Sequence, residues 1–163
     1  MLYIITSPRI LSILLEEITA CAPSSPITDA EARKMSYLQA IIKEGLRIWP
    51  PVTGLSSKEV PKGGDVVNGV FVPGGTHIGY AAFGLVRDKE IWGEDANEFR
   101  PERWLVEDKV RLKEMEAASE LVFGYGRWQC LGKNVAMMEL NKVVVEVGPE
   151  FFVRGLMLMR GSW

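Results

Sequence analysis

Histidine occurs once and cysteine only twice in the 163 residues of this chain. His77 has no second His and no nearby Cys, so it cannot build a conventional zinc site or serve a Ser-His-Asp triad. On a candidate strand it reads as a structural or surface residue. Cys21 and Cys130 are too few for a disulfide framework, although one bridge between them stays open. Charge of one sign is also lacking. Lys plus Arg number 19 and Asp plus Glu 21, a formal net charge of −2, without the basic excess of a nucleic-acid binder. No hydrophobic run reaches the about 20 residues of a membrane span. Met1–Thr6 is cut off by Pro8 and Arg9, short of the apolar core of a signal peptide. Internal repeats and low-complexity tracts are absent as well. What remains is ordinary globular composition, 47% hydrophobic and 25% charged, at a length suited to one core.

Apolar periodicity supplies the first elements. Ile10, Leu11, Leu14, Leu15 and Ile18 share one side of a helix, with Glu16 and Glu17 off it, so this amphipathic element needs a partner. The chain thus starts directly on a core-facing helix, as one cut from something larger would. Ala22–Pro26 is a Ser/Pro loop. Thr28 and Glu31 form a capping box, which predicts a helix over 28–48 that stops before Pro50-Pro51. Met35, Leu38, Ile42, Leu46 and Trp49 make one stripe of that helix. Tyr37, Ala40, Ile41 and Ile48 line the other side, which places Glu44 on a face its neighbours mark as buried. An unpaired carboxylate there would cost several kcal/mol, and Arg47, three residues on, is close enough to pair with it.

Asn68-Gly69 between β-branched and aromatic residues signals a hairpin, and Thr76–Tyr80 reads as a third strand of one small antiparallel sheet. Phe99–Trp104 (FRPERW) looks like a loop pinned by ionic contacts. Leu105–Leu121 is polar and charged, with room for a short helix only. From Leu131 a last helix is expected, with Ala136, Met137, Leu140, Val143, Val144 and Val147 as its apolar stripe, ended by Gly148-Pro149. Phe151–Met159 reads as an apolar strand.

The chemistry lies in Phe123–Gly132 (FGYGRWQCLG). Two glycines let the backbone turn sharply toward something flat and bulky. Cys130 follows at the start of a helix, where the macrodipole and unpaired N–H groups favour a thiolate. Gln129 stands where a dinucleotide fingerprint needs its third Gly, and Gly132-Lys133-Asn134 lacks the Ser/Thr of a P-loop. A thiol nucleophile would need His77 as its base. An inert buried cysteine and a single metal-ligating thiolate both stay open on residue chemistry alone.

Phe123–Gly132 resembles the haem-binding signature F-G-x-G-x-x-x-C-x-G of the cytochrome P450 family at every fixed position. Glu44-Gly45-Leu46-Arg47 resembles that family's E-x-x-R, and Phe99–Trp104 its F-x-P-E-R-F/W segment, in the expected order. The wording looks most like fungal P450s of the pisatin-demethylase type. The resemblance implies a mainly α fold with a small antiparallel β-sheet, an incomplete C-terminal part of the cytochrome P450 fold. It divides into a J-like helix (8–21), a K-like helix (28–48), a small β region (60–80), a meander (99–122), the haem-binding loop (123–132) and an L-like helix (131–147).

By position, the resemblance makes Cys130 the axial thiolate on the iron of haem b, and surrounds the cofactor with Phe123, Gly124, Gly126, Arg127, Gly132 and Lys58. Arg127 would pair with a haem propionate and Phe123 would pack near the sulfur. Glu44, Arg47 and Arg103 would form a structural ion network under the loop. The chain departs from the family where Lys58 replaces an Arg before Glu59-Val60-Pro61, and where Val86 replaces a His before Arg87-Asp88. The resemblance also implies a haem-thiolate monooxygenase, with a small organic substrate, an NADPH-cytochrome P450 reductase as electron donor, and a place in fungal secondary metabolism. The family's distal I-helix motif is not among these residues, so no catalytic residue is assigned. The alternative to an active monooxygenase is a truncated, catalytically inactive remnant or a haem-binding half that needs a partner chain.

Overall fold

Glu17 decides how the central helix begins. Its two carboxylate oxygens accept from the Tyr37 and Leu38 amides, both at 2.8 Å, and so cap a helix from 20 residues upstream. The structure, a computed structural model, describes residues 1–148 apart from the side chains of Leu55 and Ser56. The strand read at 151–159 lies outside the described residues.

The N-terminal part contains α1 (Leu2–Ile5), α2 (Pro8–Cys21), α3 (Asp29–Ala32) and α4 (Ser36–Ile48). The single helix predicted over 28–48 is therefore two. The Thr28–Glu31 capping box starts α3 as expected, but Met35 takes an extended conformation and the Glu17 cap restarts the helix as α4. Trp49, expected on the apolar stripe, is exposed because the helix stops at Ile48 and Trp49 no longer follows the helical period.

Strands β1 (Leu55–Glu59), β2 (Asp65–Val67), β3 (Val70–Val72) and β4 (His77–Ala81) follow. The hairpin β2–β3 turns through Asn68 and Gly69 at φ of 50° and 80°, the two positive angles that its Asn-Gly turn requires. The expected single sheet is corrected to two among the described residues. Strand β4 pairs antiparallel with β1, Lys58 opposite Ile78 and Glu59 opposite His77, and leaves the hairpin as a separate ribbon.

Two single-turn helices, α5 (Ala82–Leu85) and α6 (Lys89–Trp92), lead into a 3-10 turn at Pro101–Leu105 and then α7 (Lys109–Glu120). Helix α7 is longer than the charged sequence suggested. Asp108 caps it by accepting from the Val110 and Arg111 amides, and only Met115 and Ala118 are buried along it. After two more 3-10 turns, α8 (Lys133–Glu146) closes the described fold.

One apolar core joins α2, α4 and α8 through residues such as Leu14, Leu38, Ile41 and Val144. A second gathers Ala40, Trp92, Trp104 and Met115 on the other flank of α4. Helix α4 is thus covered on two sides, as its two apolar faces require. Helix α8 is turned away from its expected stripe: Asn141, Val144 and Val145 are buried, whereas Val143 and Val147 are exposed. The cause is polar. Asn141 donates to Asp29 Oδ1 at 2.6 Å and accepts from Gln39 Nε2 at 2.9 Å, which fixes the face that points inward. Val143 and Val147 instead line an open apolar groove with Leu46, Phe123 and Leu140.

Candidate functional site

The cysteine loop is built on glycines with left-handed backbone. Gly124 has φ +75°, and a Cβ there would lie 2.8 Å from the Trp128 carbonyl oxygen, so only glycine lets the chain fold back on itself. Gly126 also has φ +59°, but open space surrounds it. The turn is closed by the Cys130 amide donating to the Phe123 carbonyl at 2.7 Å. Cys130 is a free, exposed thiol, and so is Cys21, so the bridge between them left open by the sequence is not formed. Gly132 has ordinary backbone (φ −83°) and caps α8.

Cations gather on one side of this loop. The Lys58 amine lies 4.4 Å from the centroid of the Trp128 ring, and the Arg127 guanidinium 5.0 Å from it. Each placement is a cation–π contact on an indole that is itself exposed. Phe123 is half-buried beneath, with the Lys133 amine 5.6 Å from its ring centre. Tyr80 ties the loop to strand β4, its hydroxyl donating to the Leu121 carbonyl at 2.5 Å.

Apart from the loop, Glu44, Arg47 and Arg103 are fully buried together. Glu44 Oε1 accepts from Arg47 Nη2 at 2.8 Å, Arg103 Nε at 3.0 Å and the Arg100 amide at 2.9 Å. Glu44 Oε2 accepts from Arg47 Nε and Trp104 Nε1, both at 2.9 Å. The remaining guanidinium donors fasten the segment after α5: Arg47 reaches the carbonyls of Val86, Ala96 and Glu98, and Arg103 those of Trp92 and Asp95. Val86, which replaces a His of the resembled pattern, serves here through its backbone. Asp95 balances the second cation, 3.4 Å from Arg103 and 2.7 Å from Arg100. No buried side-chain polar atom among the described residues is left unpaired, which is what a buried charge cluster needs to be tolerated.

A second, partly exposed knot holds α2 and α4 to the same segment. Arg9 and the Tyr37 hydroxyl both donate to Glu102 Oε1. Burial and the adjacent Glu102 carboxylate push the Tyr37 phenol well above its ordinary range. Burial acts to raise the Glu102 carboxyl, but its hydrogen bonds, chiefly from Arg9, leave it below the usual range.

The structure therefore brings Glu44, Arg47 and Arg103 into contact. It gathers Phe123, Arg127 and Cys130 in one loop, with Lys58 alongside. Sequence reasoning missed Trp104 Nε1 and Asp95 in the ion cluster, Tyr80 and Lys133 at the loop, and Glu17 and Asn141 in the frame. Of these, Trp104 stood in a quoted motif and showed no signal beyond its aromatic ring. Among the described residues no cluster of His, Cys, Asp and Glu could hold a metal ion by itself.

Comparison with known proteins agrees with this architecture. The sequence profile of the Cytochrome P450 family matches residues 1–153. Cytochrome P450 monooxygenase ABA1 of Pyricularia oryzae is 55% identical over 121 residues, covering 74% of this chain and 24% of that protein. Cytochrome P450 monooxygenase abl1 of Leptosphaeria maculans is 43% identical over 156 residues, 93% of this chain and 27% of that protein. Pisatin demethylase of Fusarium vanettenii is 38% identical over 149 residues, 91% of this chain and 28% of that protein. The chain belongs to the cytochrome P450 family. It spans less than a third of the length of these three relatives.

Proposed function

We propose that this chain is the haem-binding portion of a fungal P450 monooxygenase, with Cys130 as the axial thiolate of haem b. The observation that carries the proposal is the exposed Cys130 thiol on a glycine-folded loop beside two exposed cations, Lys58 and Arg127. A soft sulfur beside two cations suits a group that joins iron to two carboxylates. Haem so ligated supplies oxygen activation, because the thiolate pushes electron density toward the metal and favours O–O cleavage.

The protein's own residues bind and orient. Gly124 and Gly126 fold the loop so that the sulfur stands clear of it, and Gly132 caps the helix that follows. Arg127 and Lys58 meet the propionates, Lys58 as a point charge rather than a fork. Phe123 limits water at the sulfur. The Glu44–Arg47–Arg103 network keeps the loop's floor rigid. Helices α2, α4 and α8 take the J-like, K-like and L-like places, and 99–122 the meander. The full reaction would insert one oxygen atom of O2 into a small organic molecule, a secondary metabolite, with electrons from an NADPH-cytochrome P450 reductase and the second oxygen leaving as water. The open apolar groove along α8, lined by Val143 and Val147, favours the companion reading that this portion acts only when further polypeptide covers it.

Haemin titration with thiol labelling tests the assignment. Haem should protect Cys130 from a maleimide and leave Cys21 reactive. The reduced carbonyl complex should show the red-shifted Soret band of thiolate ligation, and Cys130→Ala should abolish both effects. Equal labelling of the two cysteines with and without haemin would refute it.

A further inference from the structure

Two charges at the neck of the cysteine loop are placed against the helices that carry them. Glu120 is the last residue of α7, where the macrodipole is negative. Lys133 is the first residue of α8, where it is positive. No basic residue in the last turn of α7 and no acidic residue in the first turn of α8 compensates. Each side chain alone would weaken its own helix end. They meet each other instead: the Lys133 amine donates to Glu120 Oε2, with the two side chains 25% and 50% exposed.

The meeting point brackets the loop. Glu120 directly precedes the 3-10 turn Leu121–Phe123, and Lys133 follows Cys130 by one turn of chain. Inside the bracket lie the Cys130 amide bond to the Phe123 carbonyl and the Tyr80 hydroxyl bond to Leu121. The same pair lines a cavity of about 410 Å³ together with Trp104 and the Lys43–Glu116 bridge at 2.6 Å. The ion pair is thus the outer of two ties between the chain leaving α7 and the chain entering α8, the inner being the Cys130–Phe123 bond, while Tyr80 holds the loop to β4.

We propose that Glu120 and Lys133 are positioning residues: a clamp that fixes where Cys130 stands by holding together the two helix ends that flank its loop. As a statement about sulfur reaching iron, this rests on the function proposed above. As a statement about the loop, it can be read in the chain without haem.

Hydrogen exchange of the amides from Leu121 to Gly132 is the direct measurement, with the Cys130 amide as reporter. Lys133→Glu and Glu120→Lys should each speed its exchange about two- to five-fold, the range of an exposed ion pair. Lys133→Arg should leave the rate unchanged. The double reversal E120K/K133E should restore protection, because it rebuilds the pair with both charges favoured by their helices. Glu120→Gln, which adds no repulsion and so leaves the fold least disturbed, should show the same direction. Salt should speed exchange in the original chain by screening the pair, and Glu120→Gln should remove that dependence. With haemin, the single reversals should lower the red-shifted carbonyl fraction at equal haem occupancy, and the double reversal should recover it. Exchange at the original rate in both Lys133→Glu and Glu120→Gln would overturn the clamp, as would a double reversal no better than either single change. If the expected exchange pattern appears while no variant takes up haem, the clamp stands as a loop device and its role toward iron falls.

Discussion

Arg103 Nε and Arg47 Nη2 donate to the same oxygen, Glu44 Oε1, at 3.0 and 2.8 Å. One carboxylate thus anchors two guanidiniums from segments 56 residues apart in number, and the forks of both arginines then grip backbone carbonyls between Val86 and Glu98. The cluster works as a frame, because each partner's other donors are spent on the chain that lies over it. Glu44→Gln keeps the shape but leaves Arg47 buried without an anion and Arg103 with Asp95 alone, 3.4 Å away. The expected loss is about 3–5 kcal/mol of unfolding free energy, against about 5–15 in total for a domain. Denaturant unfolding reads it directly, and a loss under about 1 kcal/mol would contradict the frame.

Trp104 contributes a hydrogen bond to Glu44 Oε2 and an edge contact to Trp92, with ring centres 5.6 Å apart. Trp104→Phe keeps most of the packing and removes the bond. The expected cost is about 1.5–3 kcal/mol, the value of a bond to a charged acceptor. If Trp104→Phe and Trp104→Leu cost the same, the aromatic edge adds little. If Trp104→Phe costs nothing, the indole N–H is dispensable.

Gly124 and Gly126 make a matched comparison. Both have positive φ, but only at Gly124 does an added Cβ meet backbone, 2.8 Å from the Trp128 oxygen. Gly126→Ala should cost about 1 kcal/mol of left-handed strain and leave the loop closed. Gly124→Ala should break the Cys130-to-Phe123 bond and weaken haem uptake far more. Haemin titration of the two variants side by side measures the difference, and equal affinities would show that the close approach at Gly124 does not matter.

Acid should act through Glu31. The Thr28 hydroxyl, then the Ser24 hydroxyl, then the backbone amides of both residues donate to its carboxylate and lower it from the usual 4.5 to about 2. A depressed folded-state value stabilises fully above the unfolded value and is lost as pH falls through the folded one. Stability from this cap should therefore be complete above pH 4.5 and fade toward pH 2. Thr28→Val should flatten that part of an acid-unfolding curve, and an unchanged slope would assign it elsewhere.

Part of this arrangement is legible in residue order and part is not. The burial of Glu44 follows from the apolar residues around it on one helix, and the hairpin from Asn68-Gly69, because both signals are local. Arg103 enters only through the resemblance of the FRPERW segment. Nothing in the chain near Glu44 points to Trp104, which reaches it across 60 residues, or to Asp95, which joins the cluster through Arg103. Glu17 looks like a solvated residue of its own helix, yet it caps another. Asn141 carries no signal of burial in the sequence, whereas its bonds to Asp29 and Gln39 choose the buried face of α8 and leave Val143 and Val147 outside. Strand β1 carries no alternation that its own residues announce, and it exists because β4 pairs with it.

The bond between Asn141 and Asp29 joins residues 112 positions apart. A ribosome adding about 5–20 residues each second needs roughly six to twenty seconds to deliver the second partner after the first. From the completion of α4 at Ile48 until α8 is made, the flank of α4 that α8 will cover has no lid. The nascent polypeptide therefore carries an uncovered apolar flank until translation has passed the cysteine loop, a stretch of synthesis in which such surface invites association.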